Sequence, residues 1–575
     1  MTGGLRPIGR RAAGRLVFEC WRAVFAVNLQ ALKARQRRHR MKAAIHYIRA
    51  LLVAALATGA IASIVQTQLN LAELIRLGAP VTLSVRLWTT LEDLARFAPV
   101  MAGIAFLTLS FAVLAGHWVL RFIPPSWRRL VFITASVGAL GFVFWLMRSV
   151  IPMPALPGTR TAVGHVLMSL TGIVGGWLYA RLSAASVMTA HSSSRAGQWR
   201  QASVVVALIA ASAMLFFAMA PGTGDTPTRV DSASYKVQTV ATGLNRPWSV
   251  AFLPDGRVLV TEMQGRLLAI AADGASAQIK LDGLPPLFQQ GGTAGLMEVA
   301  LDPQFEHNGW LYLTMAYGEA GANGTRLVRA TLANDRLNDV RVLFSSTLKP
   351  RAGNNGGRIA FLGDQTLVLA LGDGSERREE AQNPANDLGT LVRIDREGRP
   401  PADNPFIGQA SVAPEIYSLG HRNVQGIAVD PTTGDLLITE HGARGGDEVN
   451  HIVPGANYGW PIVTGGIDYP FAKITPFTRL PGYQDAILEW TPSIAPAGLA
   501  IYDGSLFPQW QGDLLVPALK ERAVRRVVRN GQQIVDQQLL LGELDERMRD
   551  VKVAPDGSIY VLTDGVDAKL LRLTP

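Results

Sequence analysis

The 575-residue sequence predicts two joined architectures: an α-helical membrane domain of about five transmembrane helices, then an all-β six-bladed β-propeller. Three observations carry this. Apolar runs long enough to cross a bilayer crowd the first 221 residues. A phrase made of a small turn and a following strand recurs six times after residue 236. Basic charge is confined to the start: residues 1–49 hold twelve Lys/Arg and one acid, Glu19, while the whole chain is +10, so the remainder sums to about −1. The expected divisions are a basic cytoplasmic arm (1–46), a transmembrane domain (47–221), a linker (222–235) and the propeller (236–575).

The arm is followed at once by an apolar run, which favours a cytoplasmic membrane flank, with lipid and no nucleic acid as its expected partner. The spans run near 47–67, 98–120, 129–151, 164–183 and 203–221. By the positive-inside rule the arm, the loop with Arg121, Arg128 and Arg129, and the loop with Arg181, Arg195 and Arg200 face the cytoplasm. The "PMPALPGT" loop faces outward, and a loop at 69–97, with Arg76, Arg86 and Arg96 among acids, is the weaker match. An odd span count places everything after residue 221 in the periplasm of a bacterial inner membrane. Four further spans argue against a cleaved signal peptide, and Met41-Lys42 resembles a natural start. His117 and His165 are the ionisable positions to inspect for quinone or haem, with interface anchoring as the plainer role. "GIVGG" (172–176) is a GxxxG match suited to helix packing. Cys20, the single cysteine, lies in the arm, so neither disulfides nor thiolate metal sites hold the propeller.

The recurring phrase reads "LPDGRVLVTE" (253–262), "LDPQFEHNGWLYLTMA" (301–316), "LGDQTLVLALGD" (362–373), "VDPTTGDLLITE" (429–440), "YDGSLFPQWQGDLLVPAL" (502–519) and "APDGSIYVLTD" (554–564). A period of roughly 50 to 70 residues, built of strands, suits four-stranded propeller blades. A β-helix or paired sandwiches would need shorter or more regular periods. At one end of a propeller the loops converge on the axis, and these loops carry Arg422, Lys520, Arg547 and Arg549. Four cations facing one cavity suit a multiply carboxylated small molecule; taken singly, each also suits a surface ion pair. The turn "EHGARGGDE" (440–448) combines glycine-freed carbonyls with Asp447 and Glu448, and Tyr458 follows. These are hard oxygen ligands for Ca²⁺, or else a bare acidic hairpin tip.

"GLNRPWSVAFLPDGRVLVTE", "GHRNVQGIAVDPTTGDL", "EHGARGGDE", "NYGWPIVTGGIDY", "WTPSIAPAGLAIYDG" and "ERMRDVKVAPDG" together resemble the glucose/sorbosone dehydrogenases. These are soluble-type aldose sugar dehydrogenases that use pyrroloquinoline quinone (PQQ) and Ca²⁺ on a six-bladed propeller. The resemblance covers most of 236–575 and none of the membrane half. It implies that Arg422, Asn423 and Tyr469 line the quinone pocket and that Lys520, Arg547 and Arg549 hold the quinone's carboxylates. It further implies that Glu448 and Tyr458 are ligands of a structural Ca²⁺, and that the carbonyls of Gly442 and Ala443 hold the Ca²⁺ on the quinone. The family usually has Pro at the position of Ala443. The implied chemistry is oxidation of a sugar hydroxyl by hydride transfer to PQQ while a His takes the hydroxyl proton.

Two positions depart from the family pattern. Asn354 of "RAGNNGGRIAF" stands where the catalytic His precedes "GGR", and Thr293 of "GGTAGL" stands where a quinone-contacting Gln is usual. A carboxamide orients a hydroxyl but does not accept its proton near neutral pH; Asp373 is the nearby carboxylate that could substitute. The leading expectation is a membrane-anchored quinoprotein acting on a sugar or small polyol, with membrane quinone as the electron acceptor its spans would offer. The rival is a ligand-binding propeller that serves as sensor or scaffold. A Ca²⁺-dependent lactonase is a third option by fold analogy alone.

Overall fold

A computed structural model describes residues 44–151, 156–188, 228–229, 234–290 and 294–575. The expected arm before residue 44, the fifth span at 203–221 and Thr293 lie outside the described residues. The helices are α1 (Ala44–Arg76), α2 (Leu83–Arg96), α3 (Ala98–Val119), α4 (Arg128–Val150), α5 (Ala162–Leu170) and α6 (Gly172–Met188). Among the described residues, four stretches are helical, long and apolar enough to cross a membrane: Ala44–Arg76, Ala98–Val119, Pro125–Val150 and Ala162–Ala184. They match the first four expected spans.

The stretch 69–97 is not the loop its mixed charge suggested. It is the end of α1 followed by α2. The Thr82 side chain accepts from Val85 N and caps α2. Asp93 is buried and accepts from Thr67 Oγ1 at 2.6 Å, so its charge serves packing rather than a solvated turn.

The residues form two compact units. One takes the described residues through Ala62, then Ala98–Val143, then those from Ser169; the other takes Ser63–Phe97, Phe144–Met168 and the whole propeller. In the first unit the GxxxG glycines do pack helices: a Cβ at Gly176 would lie 2.4 Å from Phe132 O, and one at Gly172 2.8 Å from the Ser136 backbone. His117 bonds Tyr179 Oη at 3.0 Å amid the rings of Tyr47 and Phe132, a packed aromatic cluster. In the second unit Leu71, Leu74 and Ala79 form an apolar cluster with Ile462, Val463 and Phe477. Beside it Asn70 Nδ2 donates to Ile474 O at 2.6 Å.

The propeller has six blades, over 247–279, 296–345, 356–419, 424–490, 500–540 and 548–574. The strand Lys236–Asn245 pairs antiparallel with Val566–Thr574 and completes blade 6, so the two ends of the propeller close the ring. Thr228–Arg229 adds a short parallel strand beside Gln538–Leu539 of blade 5.

The repeated phrase is the turn between a blade's first two strands. In five blades an Asp side chain accepts the backbone N–H two residues on: Asp255 from Arg257 (3.0 Å), Asp302 from Gln304 (2.9 Å), Asp364 from Thr366 (3.0 Å), Asp430 from Thr432 (3.0 Å) and Asp556 from Ser558 (2.9 Å). The second strands, such as Val258–Glu262, Leu367–Leu371 and Leu514–Ala518, are buried along their whole length between neighbouring blades.

At the axis the blades meet on one buried guanidinium. Arg358 of blade 3 pairs with Glu298 of blade 2 at 2.7 Å and with Asp550 of blade 6 at 3.0 Å. It donates to Gln425 O of blade 4 at 2.6 Å and to Ala497 O, ahead of blade 5. It also lies 4.1 Å from the Trp248 ring of blade 1. Ser249 Oγ donates to Glu298 Oε1 at 2.9 Å, and Lys552 Nζ adds a second cation 3.4 Å from the same carboxylate. Burial pushes the Asp550 carboxyl up, with Arg358 and Lys552 opposing.

Removing one charge from such a buried cluster typically costs about 3–5 kcal/mol. Glu298→Gln is therefore expected to lower unfolding stability by about that amount, whereas Arg399→Ala, which breaks an exposed pair with Asp395 at 2.9 Å, shifts it by less than about 0.5 kcal/mol. Thermal and denaturant melts of the two variants compare them directly; equal losses would contradict the central role of Arg358.

Candidate functional site

The loop entering blade 3 carries Asn354 in a left-handed conformation, φ 44°. It lies directly on Gly372, where a Cβ would stand 2.0 Å from Asn354 O, so only glycine permits the approach. The residue after that glycine is Asp373, and the contact brings Asn354 Nδ2 to Asp373 Oδ1 at 2.8 Å. Ser375 N donates to the same oxygen at 2.7 Å and Trp460 Nε1 to Oδ2 at 2.8 Å. Asp373 thus accepts three neutral donors and makes no ion pair within the hydrogen-bonding range of any cation among the described residues.

Arg422 is placed by its own backbone: its N–H donates to Glu440 Oε2 at 2.7 Å and its carbonyl accepts Asp373 N at 2.9 Å. The preceding His421 fixes that backbone, bonding Glu440 Oε1 at 3.0 Å and Ser418 Oγ at 2.9 Å while stacking on Tyr458. The Arg422 guanidinium bonds two carbonyls, His441 O at 3.1 Å and Gly442 O, and lies 5.3 Å from the Trp460 ring. Among the described residues it has no carboxylate partner. A buried guanidinium held only by carbonyls retains its full charge for an anionic ligand.

These residues open on one recess. Its wall includes Asn354, Asp373, Arg422, Ala443, Trp460 and Tyr469, which unites four of the sequence-expected positions with Asp373. The other expected positions stand apart from that wall. Asn423 is buried behind it, accepting Gly356 N and Gln425 Nε2, both at 3.3 Å. Arg547 and Arg549 share Asp564, at 2.8 and 2.9 Å. Lys520 is exposed and makes no ion pair among the described residues. Gly442 organises the turn, its N–H donating to Asp447 Oδ1 at 2.9 Å.

The expected metal ligands are modified by the geometry. Tyr458 Oη donates to His451 O at 2.5 Å and accepts Val453 N at 2.9 Å, so its phenol is already engaged and only its backbone carbonyl suits a cation. Asp447 Oδ2 accepts Ser493 Oγ and Ala495 N, at 2.7 and 2.8 Å, and ties down the turn instead of facing a ligand. Glu448 differs. Burial, then the neighbouring carboxylates Glu440, Glu489 and Asp447, push its carboxyl well above the usual range. Asn450 Nδ2 bridges Glu448 and Glu440, both at 3.0 Å, and Asn450 Oδ1 is buried without a partner. Crowded carboxylates beside an orphaned amide oxygen fit a hard divalent cation. No cluster of three or more acidic, His or Cys ligands is present among the described residues, so such a site would draw on backbone and amide oxygens as well.

Two residues went unrecognised in the sequence. His441 has a buried, unpartnered Nε2; burial, together with Arg422 and Arg549, holds its ring down at about 4 against the pull of Asp447. It is therefore neutral near pH 7 and spans the electrostatic gap between Arg422 and Arg549. Its only signal was its place inside the charged turn. Lys349 is buried under Gly374, bonded to Asn323 Oδ1 at 3.0 Å and Arg351 O at 2.8 Å. Burial pushes it down to about 7, with Asp373 opposing. Nothing in the sequence around it distinguishes it from a surface lysine.

Residues 244–572 match the family model described as Glucose / Sorbosone dehydrogenase. An aldose sugar dehydrogenase of Escherichia coli is 36% identical over 349 residues, covering 60% of this chain and 94% of that protein. A quinoprotein glucose dehydrogenase B of Acinetobacter calcoaceticus is 25% identical over 431 residues, covering 60% of this chain and 89% of that protein. Among solved structures, the apo-form soluble aldose sugar dehydrogenase of Escherichia coli superimposes with TM-score 0.57 at 36% identity, covering 59% of this chain and 99% of that chain.

Proposed function

The chain belongs to the glucose/sorbosone dehydrogenase family, and we propose from that premise that it is a membrane-anchored quinoprotein that oxidises a sugar hydroxyl with PQQ and Ca²⁺. The observation that carries this reading is the Arg422 guanidinium, which has no carboxylate partner among the described residues, on a recess that also holds Asn354 and Asp373. The quinone, when bound, supplies the acceptor for the substrate's hydride, and Ca²⁺ polarises it.

The chain's own groups divide the remaining work. Arg422 and Lys520 offer cationic charge that no carboxylate among the described residues cancels, while Arg547 and Arg549 share one carboxylate between them. Neutral His441 Nε2 accepts a hydrogen bond without adding charge. The carbonyls of Gly442 and Ala443 and the Glu448 group are the places for Ca²⁺. With its amide nitrogen committed to Asp373, Asn354 keeps its amide oxygen for a substrate hydroxyl, which it orients but does not deprotonate. Of the two carboxylates on the wall, Asp468 is neutralised by Arg378 at 3.1 Å, which leaves Asp373 as the proton acceptor.

Ligand binding without turnover, as a sensor or scaffold, is a second reading that Asn354 itself favours. The substitution Asn354→His separates the two. Asp373 already stands where it would accept the imidazole Nδ1–H and turn Nε2 toward the recess. Turnover of aldoses is expected to rise at least about tenfold, with a new base limb near pH 6–7 in the rate profile. No gain, in a variant that still binds quinone, would favour the non-catalytic reading.

The four apolar helices are compatible with anchoring. We place the propeller in the periplasm on the charge of the loops, with membrane quinone as acceptor of the electrons. A reporter fused after residue 235 is then active only in the periplasm, and one fused near residue 190 only in the cytoplasm; the reverse pattern would overturn this orientation.

A further inference from the structure

The recess is not bounded by the propeller alone. Pro157 and Arg160, from the segment between α4 and α5, also form its wall. Both belong to the same compact unit as the propeller. The soluble Escherichia coli relative is matched over 99% of its length by 59% of this chain, so the helical segments have no counterpart there.

The segment is fixed in place. Residues Pro157–Thr159 form one tight helical turn, and Gly158 N donates to Gln66 Oε1 at 2.6 Å. Arg160 grips Glu379 with both terminal nitrogens, at 2.7 and 3.2 Å, and donates from Nε to Pro157 O at 3.1 Å. Glu379 also faces Arg378, which pairs with Asp468 at 3.1 Å and donates to Asn70 Oδ1 at 2.6 Å. Two cations and two carboxylates, all mostly buried, therefore cancel one another. A bidentate, charge-balanced clamp of this kind holds a side chain in one geometry and leaves no net charge to attract an anion. With that wall fixed beside Asn354, Asp373 and Arg422, a ligand bound among these residues cannot extend past Pro157 and Arg160.

We propose that Pro157 and Arg160 are specificity-determining residues that wall the recess, so that a monosaccharide is admitted while the glycosidic extension of an oligosaccharide is refused. This rests on the sugar-dehydrogenase reading of the same recess. Arg160 contributes through its position and bulk and takes no part in proton or hydride transfer.

Calorimetric titration of the full-length protein in detergent tests the proposal, with Ca²⁺ and PQQ present and no electron acceptor, so that each molecule turns over at most once. Glucose and maltotriose are the probes, and the variants are Arg160→Gly and the charge-balanced Arg160→Gly/Glu379→Gln, which avoids leaving Glu379 unpaired. Wild type is expected to bind maltotriose at least about tenfold more weakly than glucose, and both variants to recover about tenfold for maltotriose while glucose stays within about threefold. Wild type binding the two sugars alike, or variants shifting both together, overturns the wall while leaving the sugar reading intact. Wild type that binds quinone and neither sugar overturns the sugar reading and the wall with it.

Discussion

The buried Arg358 guanidinium is the constraint on which the rest of the propeller depends. It reaches side chains or carbonyls contributed by every other blade or the segment leading into it, either directly or through Glu298 and Ser249. A charge removed from water is tolerated only when its partners are complete, so this cluster fixes how far the inner strands stand from the axis. The site inherits that geometry. Asn354 lies four residues before Arg358, Arg422 three before the Gln425 carbonyl that Arg358 grips, and Arg549 contributes its own carbonyl to Arg358 at 3.4 Å. Asn354 and Arg422, distant in sequence, are thus set on one recess by short lengths of backbone running from a common anchor, while Arg549 stands apart from its wall.

Charge is handled in opposite ways at the two sides of that recess. Where Arg160, Arg378, Glu379 and Asp468 meet, opposite charges are paired and cancel. At Arg422 the positive charge is kept, since carbonyls orient a guanidinium without neutralising it. His441 between Arg422 and Arg549 is held neutral by burial and by those two cations, which avoids a third like charge where a ligand must approach. Asp373 completes the contrast, since it is surrounded by neutral donors.

The propeller was legible because its turns repeat a local chemistry: an Asp that bonds the backbone two residues ahead leaves a pattern visible without any tertiary context. The four helices long and apolar enough to cross a membrane were legible through length and apolarity alone. Residues 69–97 were not, because α2 carries charges that are satisfied only by partners elsewhere, as Asp93 is by Thr67 and by Lys473 N at 2.9 Å. In the site, Asn354, Arg422, Ala443 and Tyr469 were found through motif resemblance and do meet in space. Which oxygen Tyr458 could offer was not legible, since sequence does not reveal that its phenol already makes two hydrogen bonds. Arg358 escaped notice because one arginine in a strand reads as surface until the axis is seen. Arg160 escaped for the same reason: its partner Glu379 lies 219 residues away.

A recess at Arg422 that takes a quinone and Ca²⁺ together has a spectroscopic consequence. The most direct measurement is the absorption spectrum of PQQ titrated into the purified full-length protein, with Ca²⁺ and again after chelation. The expected result is a saturable bound-quinone spectrum at one equivalent with Ca²⁺, weakened by chelation. A spectrum that remains that of free quinone at every concentration, with or without Ca²⁺, would contradict it.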